Sequence, residues 1–138
     1  MGRCAIVVGA RARQGIGGAL CRRFAREGLH VAVVGRTLER LEELVEEVRA
    51  QGGQASSVVA DATRAEDVER VFDETRRIAG TPELVVYNAG ANDPRPLLEM
   101  DNSYFERMWR LGCFGGFLVG REAARRMLPG GGTLIFTG

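Results

Sequence analysis

The sequence predicts a doubly wound, three-layer α/β/α domain on a parallel sheet. Two observations carry this. Four short apolar runs, at residues 5–8, 31–34, 57–60 and 84–87, are separated by stretches of helical periodicity. Apolar runs without alternation read as parallel strands covered on both faces. The first run also passes through Gly9, Gly15, Gly17 and Gly18 directly into a helix. Strand, glycine turn and helix in that order open a doubly wound sheet. The glycines let the backbone approach a phosphate closely, and the free N–H groups and dipole at the helix start meet its charge.

The elements follow in order. The first helix carries Ile16, Leu20 and Phe24 on one stripe and stops before Gly28. The second strand follows His30 and ends at Gly35-Arg36. The next helix has a stripe of Leu38, Leu41, Leu44, Val45 and Val48, with glutamates on its other faces. The third strand, 57–60, closes at Asp61. Thr63 with Glu66 has the spacing of a capping box for a helix carrying Val68, Val71, Phe72, Thr75 and Ile78. The fourth strand runs into Asn88-Ala89-Gly90. Pro94 and Pro96 make 91–100 a loop, at the strand end where ligands enter such sheets. A short helix over about 101–111, a break at Gly112, a longer helix reaching Met127 and a fifth strand at 133–137 complete the chain.

Composition narrows the function. At 138 residues the chain is long enough for one domain, 1–138, with one core. The net charge of +1 gives no bulk field for nucleic acid or acidic lipid. Arginine pairs such as Arg22-Arg23 and Arg125-Arg126 come without an aromatic platform, so they read as solvated helix faces. Cys4, Cys21 and Cys113 lack metal-ligand spacing and read as reduced thiols. No metal site is expected, and the lone His30 lies away from the glycine turn. No leader pattern opens the chain and no apolar run approaches about 18 residues, so a cytoplasmic location is expected.

Four landmarks in order now carry a resemblance: the turn ending Gly15-Ile16-Gly17, Asp61 after the third strand, Asn88-Ala89-Gly90 after the fourth, and the 115–127 helix leading to Gly132-Thr133-Leu134-Ile135. The chain resembles the N-terminal, cofactor-binding part of a classical short-chain dehydrogenase/reductase (SDR). The resemblance spans all 138 residues but about the first half of a typical member. It implies a Rossmann-like sheet of order 3-2-1-4-5, here truncated after the fifth strand. It also implies hydride transfer between a nicotinamide dinucleotide and a carbonyl or secondary alcohol.

The resemblance further implies a cofactor site. Gly9, Arg11, Arg13, Gln14, Gly15, Ile16 and Gly17 would cradle phosphate. Asp61, with Ala62 beside it, would accept a bond from the adenine amine. Asn88, Ala89 and Gly90 would line the ribose and lock the central strands. One departure stands out: five residues, 10–14, separate the first two glycines where the family usually has three. Two extra residues cost roughly 0.3 kcal/mol of loop closure, which the fold tolerates. At the end of the second strand, Gly35-Arg36 replaces the acidic residue that selects NAD. A guanidinium grips a 2′-phosphate through paired bonds worth about 1.5–3 kcal/mol each, so NADP(H) is expected over NAD(H).

The family's acid/base machinery is not in this sequence, and no catalytic residue is assigned. All nineteen basic residues are arginine, so the lysine that follows the family's tyrosine by four positions has no counterpart. Tyr87 falls in a strand, and Met108 stands four residues after Tyr104. Gly112 occupies the place of the family's asparagine, and its serine would fall at or just after Gly138. The chain is therefore expected to be a catalytically incomplete N-terminal fragment. The alternative is a complete non-catalytic dinucleotide-binding or interaction module. The lack of an acidic residue at Gly35, together with Asn88-Ala89-Gly90, argues against a methyltransferase-like fold. The apolar fifth strand has no sequence partner on its outer side, so homo-oligomerisation through that edge, or poor solubility, is expected.

Overall fold

The computed structural model describes residues 2–10, 15–90 and 93–138. Its strands are β1 (Cys4–Val8), β2 (His30–Gly35), β3 (Gln54–Val59), β4 (Leu84–Tyr87) and β5 (Thr133–Phe136). They form one parallel sheet in the order β3-β2-β1-β4-β5, a Rossmann-like α/β arrangement. Val7 of the central strand lies opposite Val33 on one side and Val86 on the other. Successive side chains of β1 point to opposite faces and feed two cores. Ile6 and Val8 join Ala32, Val34, Phe72, Leu118 and Val119. Val7 joins Val31, Val33, Cys21, Leu41 and Leu44.

The helices are α1 (Ile16–Arg26), α2 (Leu38–Ala50), α3 (Ala65–Ala79), α4 (Asn102–Trp109) and α5 (Gly115–Met127). The core residues place α1 and α2 on one face of the sheet and α3 and α5 on the other. Arg126 clamps the latter pair: it donates to Glu122 on its own helix at 2.7 Å and to Asp73 on α3 at 2.8 Å.

Several boundaries differ from the sequence reading. In α1 the buried face is Gly17, Gly18 and Cys21, while Ile16 is 60% exposed. The helix packs by its glycines, because only they permit the close approach described below. In α3 the buried ladder runs Val68, Phe72, Thr75 and Ala79, at three- and four-residue spacing, which turns Ile78 to solvent. Leu38 opens α2 and is likewise exposed. The third strand begins at Gln54, three residues early, because an edge strand tolerates Gln54 and Ser56 on its open side. His30 is the first residue of β2, where its Nε2 pairs with the Ser56 hydroxyl at 2.9 Å. The Thr63 capping box does not form. Thr63 donates its hydroxyl to Asp61, and α3 starts at Ala65 without a side-chain cap.

Gly112 does not break the helix either. α4 continues into α5 through a π-helical turn, Arg110–Phe114. On an α-helix, positions five apart point about 140° away from each other. The wider turn instead stacks the Trp109 and Phe114 rings, with centroids 5.7 Å apart and planes 17° apart.

Phe72 is fully buried beneath the sheet. Phe72→Ala should lower unfolding free energy by about 3–5 kcal/mol in urea titration. A loss within error of zero would contradict this account of the core.

Candidate functional site

The carboxyl ends of all five strands meet at one edge of the sheet, where a doubly wound sheet takes its ligand. At the centre, Gly9 leaves β1 with φ +91°, a conformation that favours glycine. A Cβ there would also sit 2.6 Å from the Ala89 Cα, so the ends of β1 and β4 are in direct backbone contact. Gly17, the second residue of α1, repeats the constraint: a Cβ there would lie 2.6 Å from the Gly9 carbonyl oxygen. Asn88 ties the group together. Its Nδ2 donates to the Gly9 carbonyl at 3.1 Å, and its Oδ1 accepts from the Thr137 hydroxyl at 2.6 Å.

Gly15 flanks α1 with φ +98° and makes no side-chain cap. Among the described residues, nothing lies within 4 Å of a Cβ added to Gly15. An uncapped helix N-terminus presents free N–H groups and the positive end of its dipole.

The outer part of the edge is built by β2 and β3. Ala60 N–H donates to the Gly35 carbonyl at 2.9 Å, which brings Asp61 alongside Arg36. Burial works to raise the Asp61 pKa. Two bonds from Thr63, at 2.7 and 2.9 Å, and the positive charges of Arg36 and Arg64 outweigh that and hold it below its ordinary value of 3.8. Gly35 is not simply an open space: a Cβ there would press on Leu41 at 3.1 Å.

Tyr87 occupies the inner wall but is not poised for proton transfer. Its hydroxyl donates to the Leu111 carbonyl in the π turn. Burial, and then the negative charge of Asp61, push its pKa up to about 12. Tyr104 is held elsewhere: its hydroxyl donates to the Asp93 carbonyl, and the Arg95 guanidinium covers its ring at 4.4 Å.

The structure thus places Gly9, Gly15, Ile16, Gly17, Arg36, Asp61, Ala62, Asn88, Ala89 and Gly90 at the carboxyl edge of the sheet. Arg11, Arg13 and Gln14 lie outside the described residues. Sequence reasoning missed Thr137, whose threonine at a strand end carries no motif. It also missed the Tyr87–Leu111 bond, which depends on the π turn. Among the described residues, no group of three His, Cys, Asp or Glu side chains is placed to hold a metal ion. No helix among them is long and apolar enough to cross a membrane.

The short chain dehydrogenase family profile matches residues 3–138. The chain belongs to that family. It is 32% identical over 136 residues to the 7alpha-hydroxysteroid dehydrogenase of Escherichia coli, covering 99% of this chain and 52% of that one. It is 31% identical over 137 residues to a short-chain dehydrogenase/reductase of Pestalotiopsis microspora, covering 99% and 51%. Among solved structures, a short-chain type dehydrogenase/reductase from Mycobacterium marinum superposes with a TM-score of 0.93 at 31% identity, over 99% of this chain and 56% of that one. The chain therefore spans about half the length of these relatives. By kinship it shares the fold of a family whose members take an NAD(P) cofactor.

Two outcomes follow from the geometry. Asn88→Asp removes the side-chain donor that faces the Gly9 carbonyl and sets a negative charge against it. It should destabilise the chain by about 1–3 kcal/mol at pH 7 in chemical denaturation, the cost of a buried polar group left unpaired. Unchanged stability would refute the assigned bond. Asp61, with a lowered pKa, contributes stability that is present above about pH 4 and lost as pH falls through its folded value. Asp61→Asn should therefore flatten the acid limb of a stability–pH curve below about pH 4, and an unaltered acid limb would contradict this.

Proposed function

We propose that the chain is the NADP(H)-binding part of a short-chain dehydrogenase/reductase, with residues 1–138 acting as one dinucleotide-binding unit. The observation that supports this best is the start of α1 beside Gly9, which no side chain among the described residues caps, with Arg36 and Asp61 at the outer end of the same edge. These groups fit the two ends of an adenine dinucleotide. The α1 N–H groups suit its pyrophosphate, the Arg36 guanidinium suits a 2′-phosphate, and the Asp61 carboxylate suits the adenine amine. Arg11, Arg13 and Gln14 belong to the turn between Gly9 and Gly15 and are included in the proposed site, as are Ala62, Ala89 and Gly90 along its wall.

When bound, the dinucleotide supplies or accepts a hydride at its nicotinamide ring, exchanged in an SDR with a carbonyl or secondary alcohol. This chain's own residues hold and orient it. They do not supply the proton: the sequence has no lysine, and the Tyr87 hydroxyl is spent on Leu111. We therefore read the 138 residues as catalytically incomplete alone. The same observation supports a second reading, a non-catalytic dinucleotide-binding or interaction module. A cytoplasmic location and self-association through β5 belong to the same proposal. β5 is one of the two edge strands, and Ile135 and Phe136 are 41% and 55% exposed.

Calorimetric titration of Arg36→Ala tests the cofactor choice. It should weaken NADPH binding roughly tenfold or more, the worth of one charge-assisted bond, and leave NADH within about twofold. Equal losses would overturn the assignment of NADP(H). Sedimentation at high protein concentration should show species heavier than a monomer, and a single monomeric boundary would count against pairing through β5.

A further inference from the structure

We infer that Thr137 is a positioning residue for the pyrophosphate of the bound dinucleotide, acting from the fifth strand through the Asn88 carboxamide and the Gly9 carbonyl. The inference rests on the cofactor reading above and adds to it a residue beyond the glycine turn and the strands that flank it.

Thr137 follows β5 directly. Its backbone N–H donates to the Tyr87 carbonyl at 3.1 Å, which extends the β4–β5 ladder and fixes where the side chain begins. Its hydroxyl has two acceptors in reach, Asn88 Oδ1 at 2.6 Å and the Tyr87 carbonyl at 3.4 Å. The shorter contact takes the proton. Asn88 has little freedom in response. Its Nδ2 must face the Gly9 carbonyl, since the flipped amide would set two oxygens against each other. Its own N–H is engaged with the Val8 carbonyl at 2.8 Å. The polarity of the chain Thr137 O–H, Asn88 carboxamide, Gly9 carbonyl is thus set at both ends.

The Gly9 carbonyl is also the surface on which α1 rests, at Gly17. A shift of that oxygen moves the first turn of α1, whose free N–H groups are the ones suited to phosphate. The adenosine end is anchored separately, by Ala60 on Gly35 and by Thr63 on Asp61. Removing the Thr137 hydroxyl should therefore be felt at the pyrophosphate and not at the adenosine end. That asymmetry separates positioning from general loss of stability.

The test compares Thr137→Val and Thr137→Ser with the unaltered chain, using NADP+ and adenosine 2′-phosphate, which lacks the pyrophosphate, as calorimetric probes. Thr137→Val should weaken NADP+ roughly two- to tenfold, the range for one neutral hydrogen bond, and adenosine 2′-phosphate by about twofold or less. Thr137→Ser keeps the hydroxyl and should match the unaltered chain with both probes. Amide exchange at Gly9 in the ligand-free protein should rise in Thr137→Val relative to β3. Unchanged NADP+ binding, or equal losses for the two probes, would overturn the inference. Should the valine variant not fold, Thr137→Ala carries the same expectations. If the unaltered chain binds neither probe, the cofactor reading has failed. The exchange measurement still decides the coupling, and unchanged protection at Gly9 would overturn it.

Discussion

The carbonyl oxygen of Gly9 is the point that the rest of the site depends on. On one side Asn88 donates to it, and on the other Gly17 passes so close that a single methyl group would not fit. Gly9 itself lies against the backbone of Ala89. Two strands and a helix therefore converge in direct backbone contact, with the Asn88 carboxamide at the junction. Any larger residue at 9 or 17 would force the helix off the strand or the two strands apart. This is a packing constraint first, and its chemical consequence is that the N-terminus of α1, with the positive end of its dipole, is fixed in direction at the carboxyl edge of the sheet.

The two ends of the edge are made by different physics. The central end relies on backbone contact and neutral hydrogen bonds, in which geometry decides. The outer end relies on charge: Arg36 and Arg64 stabilise the ionised Asp61, and the Thr63 bonds hold its carboxylate in place. Charge at an exposed edge is screened by salt, whereas the backbone contacts are not. The ionised Asp61 with Arg36 and Arg64 is accordingly the salt-sensitive part of the edge, and the position of α1 the insensitive part.

Much of this was legible from residue order. The five strands, their parallel arrangement and the edge at which the glycine turn and the Asn88-Ala89-Gly90 segment meet follow from apolar runs and glycine positions. What escaped has physical reasons. The first helix packs by Gly17 and Gly18, and a reading that looks for large apolar residues on the buried stripe puts Ile16 inside when it is outside. Thr63 has the spacing of a cap, yet Asp61 two residues earlier competes for its hydroxyl and wins. Glycine at 112 reads as a break, but the stack of Trp109 on Phe114 carries the helix through a π turn. Thr137 sits where three strand ends meet, and such a meeting has no one-dimensional signature.

Backbone amide shift mapping of the 138-residue chain on addition of NADPH tests the proposal that the strand ends around Gly9 bind a nicotinamide dinucleotide. Perturbations are expected at Gly9, Gly15, Gly17, Asp61 and the 88–90 segment, with Gly52 and Gly53 at the opposite end of the sheet unmoved. Perturbations centred on the opposite end, or none at saturating NADPH, would contradict it.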